Sequence, residues 1–401
     1  MYPQSAPAFA PSLPHRLWRR LPAGPRREAL AKVTGWLAPK PWSGPVQPGI
    51  AIVGELSRPS GLGEGARIMA EAARRARLPV WTIDLSPPAG QGVDVAIVAP
   101  PEGVPLVLHV NAPLLPLALL RLPRAVTRRR PIIGYWAWEL PEVPADWVPG
   151  AACVSEVWTP SRFTASALEP LLPTKVRVVP PALALIEPVP SGRDRASFGL
   201  PEDAVVVLVS FSLASSCARK NPFAAIAAFR AAFGDRTDRV LVLKIGGADH
   251  APGDFSRIAA MVEGAPNIRL ETGALSSGDR HALMACADIV LSLHHAEGFG
   301  LVMAEAMALG KAVVATGWSG NTDFMDTDCA VLVPNHMAPA RDDRAVYHGT
   351  WAEPDVMAAA VALHRLADHP AERSRLGAAG RARVRDLLTE APLLAALEGL
   401  R

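Results

Sequence analysis

The chain has 401 residues and a mass of 42.5 kDa, more than one ordinary domain needs and comfortable for two. Half of it is hydrophobic and a fifth charged, which excludes an intrinsically disordered protein and provides for large cores. The net charge of +3 hides a division: residues 1–48 carry seven basic side chains (Arg16, Arg19, Arg20, Arg26, Arg27, Lys32, Lys40) against Glu28 alone, which leaves the remainder at −3 and argues against a general nucleic-acid binder.

The four cysteines (Cys153, Cys217, Cys286, Cys329) lie far apart with no C-x-x-C pair, so they read as free thiols in a reducing compartment rather than as disulfides or a zinc site. No apolar h-region opens the chain, and the longest uncharged stretch, Gly103–Leu120, holds three prolines together with His109 and Asn111, which disfavours a membrane-spanning helix. The expectation is a cytoplasmic protein, soluble or peripheral.

In chain order, residues 1–48 read as a basic, proline-rich tail with one short helix around Arg26–Leu37. Order begins at the buried-strand run Gly49–Gly54, followed by a glycine-bearing loop from Ser57 to Gly65, a helix over Gly65–Arg77 and a strand over Leu78–Ile83. Apolar runs at Val93–Val98, Leu106–Val110, Pro131–Gly134 and Glu156–Thr159 continue a parallel series, and residues 49–180 form a first domain. A proline-rich linker spans 181–198, and the pattern then restarts over 199–401. Strands are expected at Ala204–Phe211, Val240–Ile245, Ile289–Leu293, Ala312–Thr316 and Ala330–Pro334. Helices are expected at Pro222–Phe233, Ser277–Cys286, Leu301–Leu309, Asp355–Ala367 and Ala371–Leu388. Two such series imply two doubly wound, Rossmann-like α/β domains facing a cleft, with ligands at the carboxyl ends of the strands.

The segment from His294 to Gly310 is the most informative. It leaves a buried strand, turns through Gly298 and Gly300 and enters a helix, so that backbone N–H groups at Gly298, Phe299, Gly300 and Leu301 can approach an anion such as a diphosphate. Glu297 and Glu305 flank this turn with seven residues between them. His294 and His295 end the strand, and either could line the cleft. Arg219 and Lys220, after the first strand of the second series, offer a planar fork and a compact charge to phosphate oxygens.

The run EGFGLVMAEAMALGKAVVATGWSGN resembles the signature of the family-four (group 1) retaining glycosyltransferases of the GT-B fold. The resemblance is close over residues 200–360 and loose over 49–180, and extends to bacterial polysaccharide-assembly mannosyltransferases. It implies that Glu297 orients the donor sugar and Glu305 holds the ribose, while Arg219, Lys220 and the Gly298–Leu301 amides bind the diphosphate. The Pro59–Gly65 segment, with Gly61 and Gly63, is similar to the family's glycine-rich donor loop, and His109 to its histidine beside the reacting sugar. Gly134–Glu139 resembles a motif of the polysaccharide branch, placing Glu139 and Trp138 on the acceptor side, although Trp136 and Trp138 equally suit the core. Asn321 shapes the loop closing on the donor.

The resemblance implies transfer of a hexosyl unit with retention from a nucleotide-diphosphate sugar to a saccharide or lipid-linked acceptor. GDP-mannose is favoured over a UDP-sugar or dTDP-rhamnose. No cofactor or metal is expected, because Asp326-Thr327-Asp328 lies in a polar turn away from any strand end. The alternatives are a nucleotide-sugar epimerase of the same fold and a non-catalytic scaffold of a polysaccharide-assembly complex. A second basic block (Arg121, Arg124, Arg128, Arg129, Arg130) beside the apolar run Leu114–Leu120 reads either as a contact with an anionic membrane surface or as a solvated helix face.

Overall fold

The computed structural model describes residues 23–37, 42, 44–58, 60–86, 98–172, 175–342 and 346–401. Most of the strand expected at Val93–Val98 and the basic residues before Ala23 lie outside these.

Short runs of β-branched and aliphatic residues, too hydrophobic to leave a face in water, form two fully parallel six-stranded sheets. The first comprises β1 (Ile50–Gly54), β2 (Val80–Asp84), β3 (Leu106–Leu108), β4 (Ile132–Tyr135), β5 (Glu156–Thr159) and β6 (Lys175–Val178), in the order β2-β1-β3-β4-β5-β6. The second comprises β7 (Val205–Ser212), β8 (Arg239–Gly246), β9 (Ile268–Glu271), β10 (Ile289–Ser292), β11 (Ala312–Thr316) and β12 (Val331–Val333), in the order β12-β11-β10-β7-β8-β9. The strand order reverses between β1 and β3 in the first sheet and between β7 and β10 in the second. These switch points open crevices at the carboxyl ends of the strands.

Three features depart from the sequence expectation. The glycine-bearing segment is not a loop up to Gly65: the helix runs from Gly61 to Arg75, because Ser60 caps it by accepting a hydrogen bond from the Gly63 amide at 3.1 Å. The β9 strand, the helix Pro252–Val262 and an antiparallel hairpin, β13 (Asn335–Pro339) with β14 (Thr350–Pro354), were not expected. The last helix, Ala391–Glu398, crosses back to the first sheet, where Leu393, Ala396 and Leu397 pack with Ile50, Ile52 and Val107.

The part of the expected tail that is described includes a helix, Ala23–Leu37, packed on the helices Leu115–Arg121 and Val148–Ala151 of the first domain. Arg130 is not a surface cation: it is 1% exposed, and its guanidinium donates to the carbonyls of Pro100, Pro101, Val104 and Ala125. All four cysteines are free. No helix among the described residues is long and apolar enough to cross a membrane.

Candidate active site

The loop after β7 and the loop after β10 meet at the switch point of the second sheet. After β7 the chain turns through Ser216 (φ 79°) and Asn221 (φ 50°), two left-handed residues bracketing the single helical turn Cys217–Lys220. Ser216 Oγ accepts from the Arg219 amide at 3.2 Å, and Asn221 Oδ1 from the Ala224 amide at 3.3 Å, which offsets the strain and aims Arg219 and Lys220 at the cleft. After β10, the Glu297 amide donates to Ser319 Oγ at 2.8 Å and its carbonyl accepts from the Gly320 amide at 2.9 Å.

The result is a buried cluster of two cations and two carboxylates. Lys220 Nζ donates to Glu297 Oε1, and Arg219 Nη1 lies 3.2 Å from Glu297 Oε2. Arg219 Nη2 is 3.6 Å from Glu139 Oε1, a residue of the first domain, so this pair spans the cleft. Arg219 is 3% exposed and also donates to the carbonyls of Ala296 at 2.9 Å and Ser215 at 3.1 Å. Burial would raise the Glu297 pKa, but Lys220 and Arg219 outweigh it and bring it down to about 2. Burial lowers the Lys220 pKa, an effect Glu297 only partly opposes. The turn therefore holds an ionised carboxylate against two cations that an entering diphosphate would compete for.

Tyr347, on the segment joining β13 to β14, donates its hydroxyl to Glu139 Oε2 at 3.1 Å, and its ring lies 5.7 Å from the Arg219 guanidinium. Asp342 Oδ2 accepts from the Val346 amide at 2.9 Å, while Oδ1 accepts from Ser216 Oγ at 3.1 Å. Nothing in the sequence marked Tyr347; it sits in an aperiodic polar stretch. Three further cross-cleft groups were equally unmarked. Ser161 Oγ and Thr164 Oγ1 both donate to the Gly298 carbonyl, at 2.5 and 3.2 Å, and the Arg162 amide donates to Asp323 Oδ2 at 2.6 Å.

The other expected residues are distributed as follows. Gly300 (φ 97°) caps the helix Leu301–Ala308, and Phe299 packs against Phe324 in the core of the second domain. Glu305 is buried in that helix, its Oε1 3.6 Å from His281 Nε2. Asn321 is fully buried, donating to the Thr316 carbonyl at 3.0 Å and facing His294 Nε2 at 3.1 Å. His294 is enclosed by Ser292, Trp318 and Asn321, whereas His295 stacks on Trp351, bonds the Ala218 carbonyl at 2.8 Å and lines a cavity with Arg341 and Glu353, its Nε2 3.0 Å from Glu353 Oε2.

In the first domain, His109 follows β3 directly and stacks on Tyr135 at 4.2 Å. Neither ring nitrogen has a hydrogen-bond partner among the described residues, and burial pushes its pKa down to about 3. Gly65 faces this ring, since a Cβ there would lie 3.7 Å from His109 Nδ1. Gly63 is pressed on backbone instead: its Cβ would fall 2.4 Å from the Glu55 carbonyl oxygen, so glycine is required there by packing whether or not a donor is bound. Gly61 opens to free space. Trp138 is a core side chain. Its indole N–H donates to the Glu142 carbonyl at 2.8 Å and its ring packs on Trp147 and Tyr347, which leaves Glu139 as the member of that pair facing the cleft. Asp326 is held by Arg383, and among the described residues no group of three or more His, Cys, Asp or Glu side chains is arranged to hold a metal ion.

Two parallel six-stranded sheets, each with its switch point at the carboxyl ends of its strands, give the two-domain Rossmann-like architecture called GT-B. Known proteins agree. Residues 206–346 match the family model described as "Glycosyl transferases group 1". The chain is 30% identical over 219 residues to a D-inositol 3-phosphate glycosyltransferase from a Nocardioides species; the match takes in 51% of this chain and 44% of that relative, less than half its length. The fold is similar to Anabaena Alr3699/HepE solved with UDP and glucose (TM-score 0.62, 15% identity, 88% of this chain and 99% of that one). It is similar to the same degree to a sucrose-phosphate synthase from Thermosynechococcus elongatus (TM-score 0.62, 18% identity, 88% and 98%).

Proposed function

We propose that the protein is a retaining glycosyltransferase that moves a hexosyl unit from a nucleotide-diphosphate sugar to a saccharide or lipid-linked acceptor in surface polysaccharide synthesis. It would work at the cytoplasmic face of a membrane. The observation that carries this reading is the convergence of Glu297, Arg219 and Lys220 at the second switch point, with Glu139 opposite on the first domain.

In this reading the barrier is one of charge and position. The bond between the anomeric carbon and the diphosphate oxygen breaks as the bond to the acceptor hydroxyl forms, and the hydroxyl proton passes to the leaving diphosphate. Arg219 and Lys220 stabilise that leaving group. Glu297, released from them, accepts hydrogen bonds from hydroxyls of the donor sugar, and Glu305 from those of the ribose. His109, neutral and without a partner, has a free N–H for the sugar from the opposite wall. Ser161 and Thr164 hold the domains together over the reacting atoms and exclude water.

Mannose carried by GDP is the donor we favour, following the resemblance to mannosyltransferases; the UDP and glucose in the HepE structure make UDP-glucose the first competitor. The test is a screen of GDP-, UDP- and dTDP-sugars by thermal protection and turnover, alongside Glu297→Gln. Turnover should fall at least about 100-fold in the variant with its circular dichroism unchanged. Protection by none of the nucleotide sugars, or near wild-type turnover in Glu297→Gln, would refute the reading.

A further inference from the structure

The helix Leu115–Arg121 has two apolar faces. Leu115, Ala118 and Leu119 point into the first-domain core, while Leu114, Leu117 and Leu120, spaced three residues apart, point outward, with Leu114 57% exposed. A surface helix with water on its outer side carries polar residues there. The helix packed beside it, Ala23–Leu37, presents Val33 and Trp36 to solvent, and Trp36 is 81% exposed; the short helix Val148–Ala151, also against Ala23–Leu37, adds exposed Val148. Six of the large exposed hydrophobic side chains thus fall on the Ala23–Leu37 helix and the two helices packed against it.

The exposed charges where this face meets the following turn are mostly basic, Arg124, Arg128 and Arg129 against Glu102. Arg124 and Arg128 are exposed, and residues 103–138 include no acid. Arg128 and Arg129 share Glu102 at 3.8 and 3.3 Å, all three exposed, so that pairing is weak. On the Ala23–Leu37 helix, Glu28 is matched by Lys32 at 2.7 Å.

We propose that this face, Val33 and Trp36 with Leu114, Leu117 and Leu120, seats on an anionic bilayer, the apolar side chains entering the headgroup boundary and Arg124 and Arg128 meeting lipid phosphates. A second copy of the chain is the poorer occupant, because a self-complementary contact would bring the like charges of two rims together. The face is joined to the cleft through one polar link. Leu114 lies three residues beyond Asn111, whose side-chain amide makes two hydrogen bonds of 3.0 Å with the backbone of Ala137, two positions before Glu139. This deepens the peripheral-membrane part of the proposed function, and a lipid-linked acceptor held at this face would have its sugar end near Glu139.

The experiment is flotation of the full chain with vesicles of phosphatidylcholine alone and of phosphatidylcholine mixed with phosphatidylglycerol. It compares wild type with Trp36→Gln/Leu114→Gln/Leu117→Gln/Leu120→Gln and with Arg124→Gln/Arg128→Gln. Wild type should bind the anionic vesicles and lose binding in high salt. The apolar variant should bind at least about tenfold more weakly, with its melting temperature and nucleotide-sugar protection retained. The arginine variant should lose the preference for phosphatidylglycerol. No binding by wild type, or equal flotation of wild type and the apolar variant, would overturn the proposal. So would a variant whose only change is loss of a dimer in sedimentation velocity. Retained flotation with no protection by any nucleotide sugar would refute the transferase reading while leaving the docking face standing.

Discussion

His109 and Glu297 show how single side chains at this site are set by their surroundings. Burial holds His109 and His294 neutral, with pKa values down to about 3 and about 4, against an ordinary value of 6.5. The unfolded chain therefore takes up protons below about pH 6.5 that the folded chain refuses, and stability falls as pH drops from there toward 3. Glu297, with its folded pKa lowered to about 2, adds stability that is complete above about pH 4.5 and is lost as pH falls toward 2. Both effects make the protein acid-sensitive. Because neither nitrogen of His109 is bonded, His109→Phe should fold with stability within about 1.5 kcal/mol of wild type and keep the stack on Tyr135. It should bind about one proton fewer on unfolding near pH 5, read from denaturant melts across pH. Turnover should nonetheless drop about 10- to 100-fold. A variant that is stable and fully active would remove His109 from the site.

At the scale of elements, the loops at the switch points matter more than the strands that carry them. The turn over Glu297 and Gly298 fits only because Gly320 lies flat on it: a Cβ at Gly320 would fall 2.3 Å from the Gly298 carbonyl oxygen, the atom that accepts from Ser161 of the other domain. Gly320→Ala should displace this turn, destabilise by about 1–3 kcal/mol and cost turnover more than nucleotide affinity. Steady-state kinetics beside titration of the nucleoside diphosphate would show the difference. The buried strands and most helices were legible from their runs of Val, Ile and Leu and from their turns. Strand β9, IRLE, was not, because two of its four residues are charged, and the hairpin β13–β14 has proline at a strand end and no alternation. Yet that hairpin brings Tyr347 and Trp351 into the first-domain core and sets the environment of Glu139.

For the whole molecule, the two halves are interlocked rather than merely hinged. Ala296, Tyr347 and Trp351 of the second domain join the core of the first, Ile68 of the first joins a core of the second, and the final helix closes the outer face of the first sheet. Removing residues 391–401 should therefore destabilise the first domain by about 3–5 kcal/mol, from uncovering Leu393, Ala396 and Leu397 and the side chains beneath them. Limited proteolysis would register this as new cleavage within residues 49–180; protection equal to that of the full chain would show that the helix contributes little.

The sequence by itself determined that there are two parallel α/β units, and it marked Glu297, Glu305, Arg219 and Lys220, because burial runs, glycine turns and strand-end charges are local patterns. It also marked Glu139 and His109, though without showing what faced them. Only the tertiary structure decided that Arg219 bridges Glu297 to Glu139, that Trp138 and Arg130 are interior, and that an apolar stripe on Leu115–Arg121 faces outward. Those depend on which element covers which face. Covering is settled by packing between segments far apart in the chain, such as Tyr347 on Glu139, 208 residues away, and Leu393 on Ile50, farther still, and no short-range pattern records it.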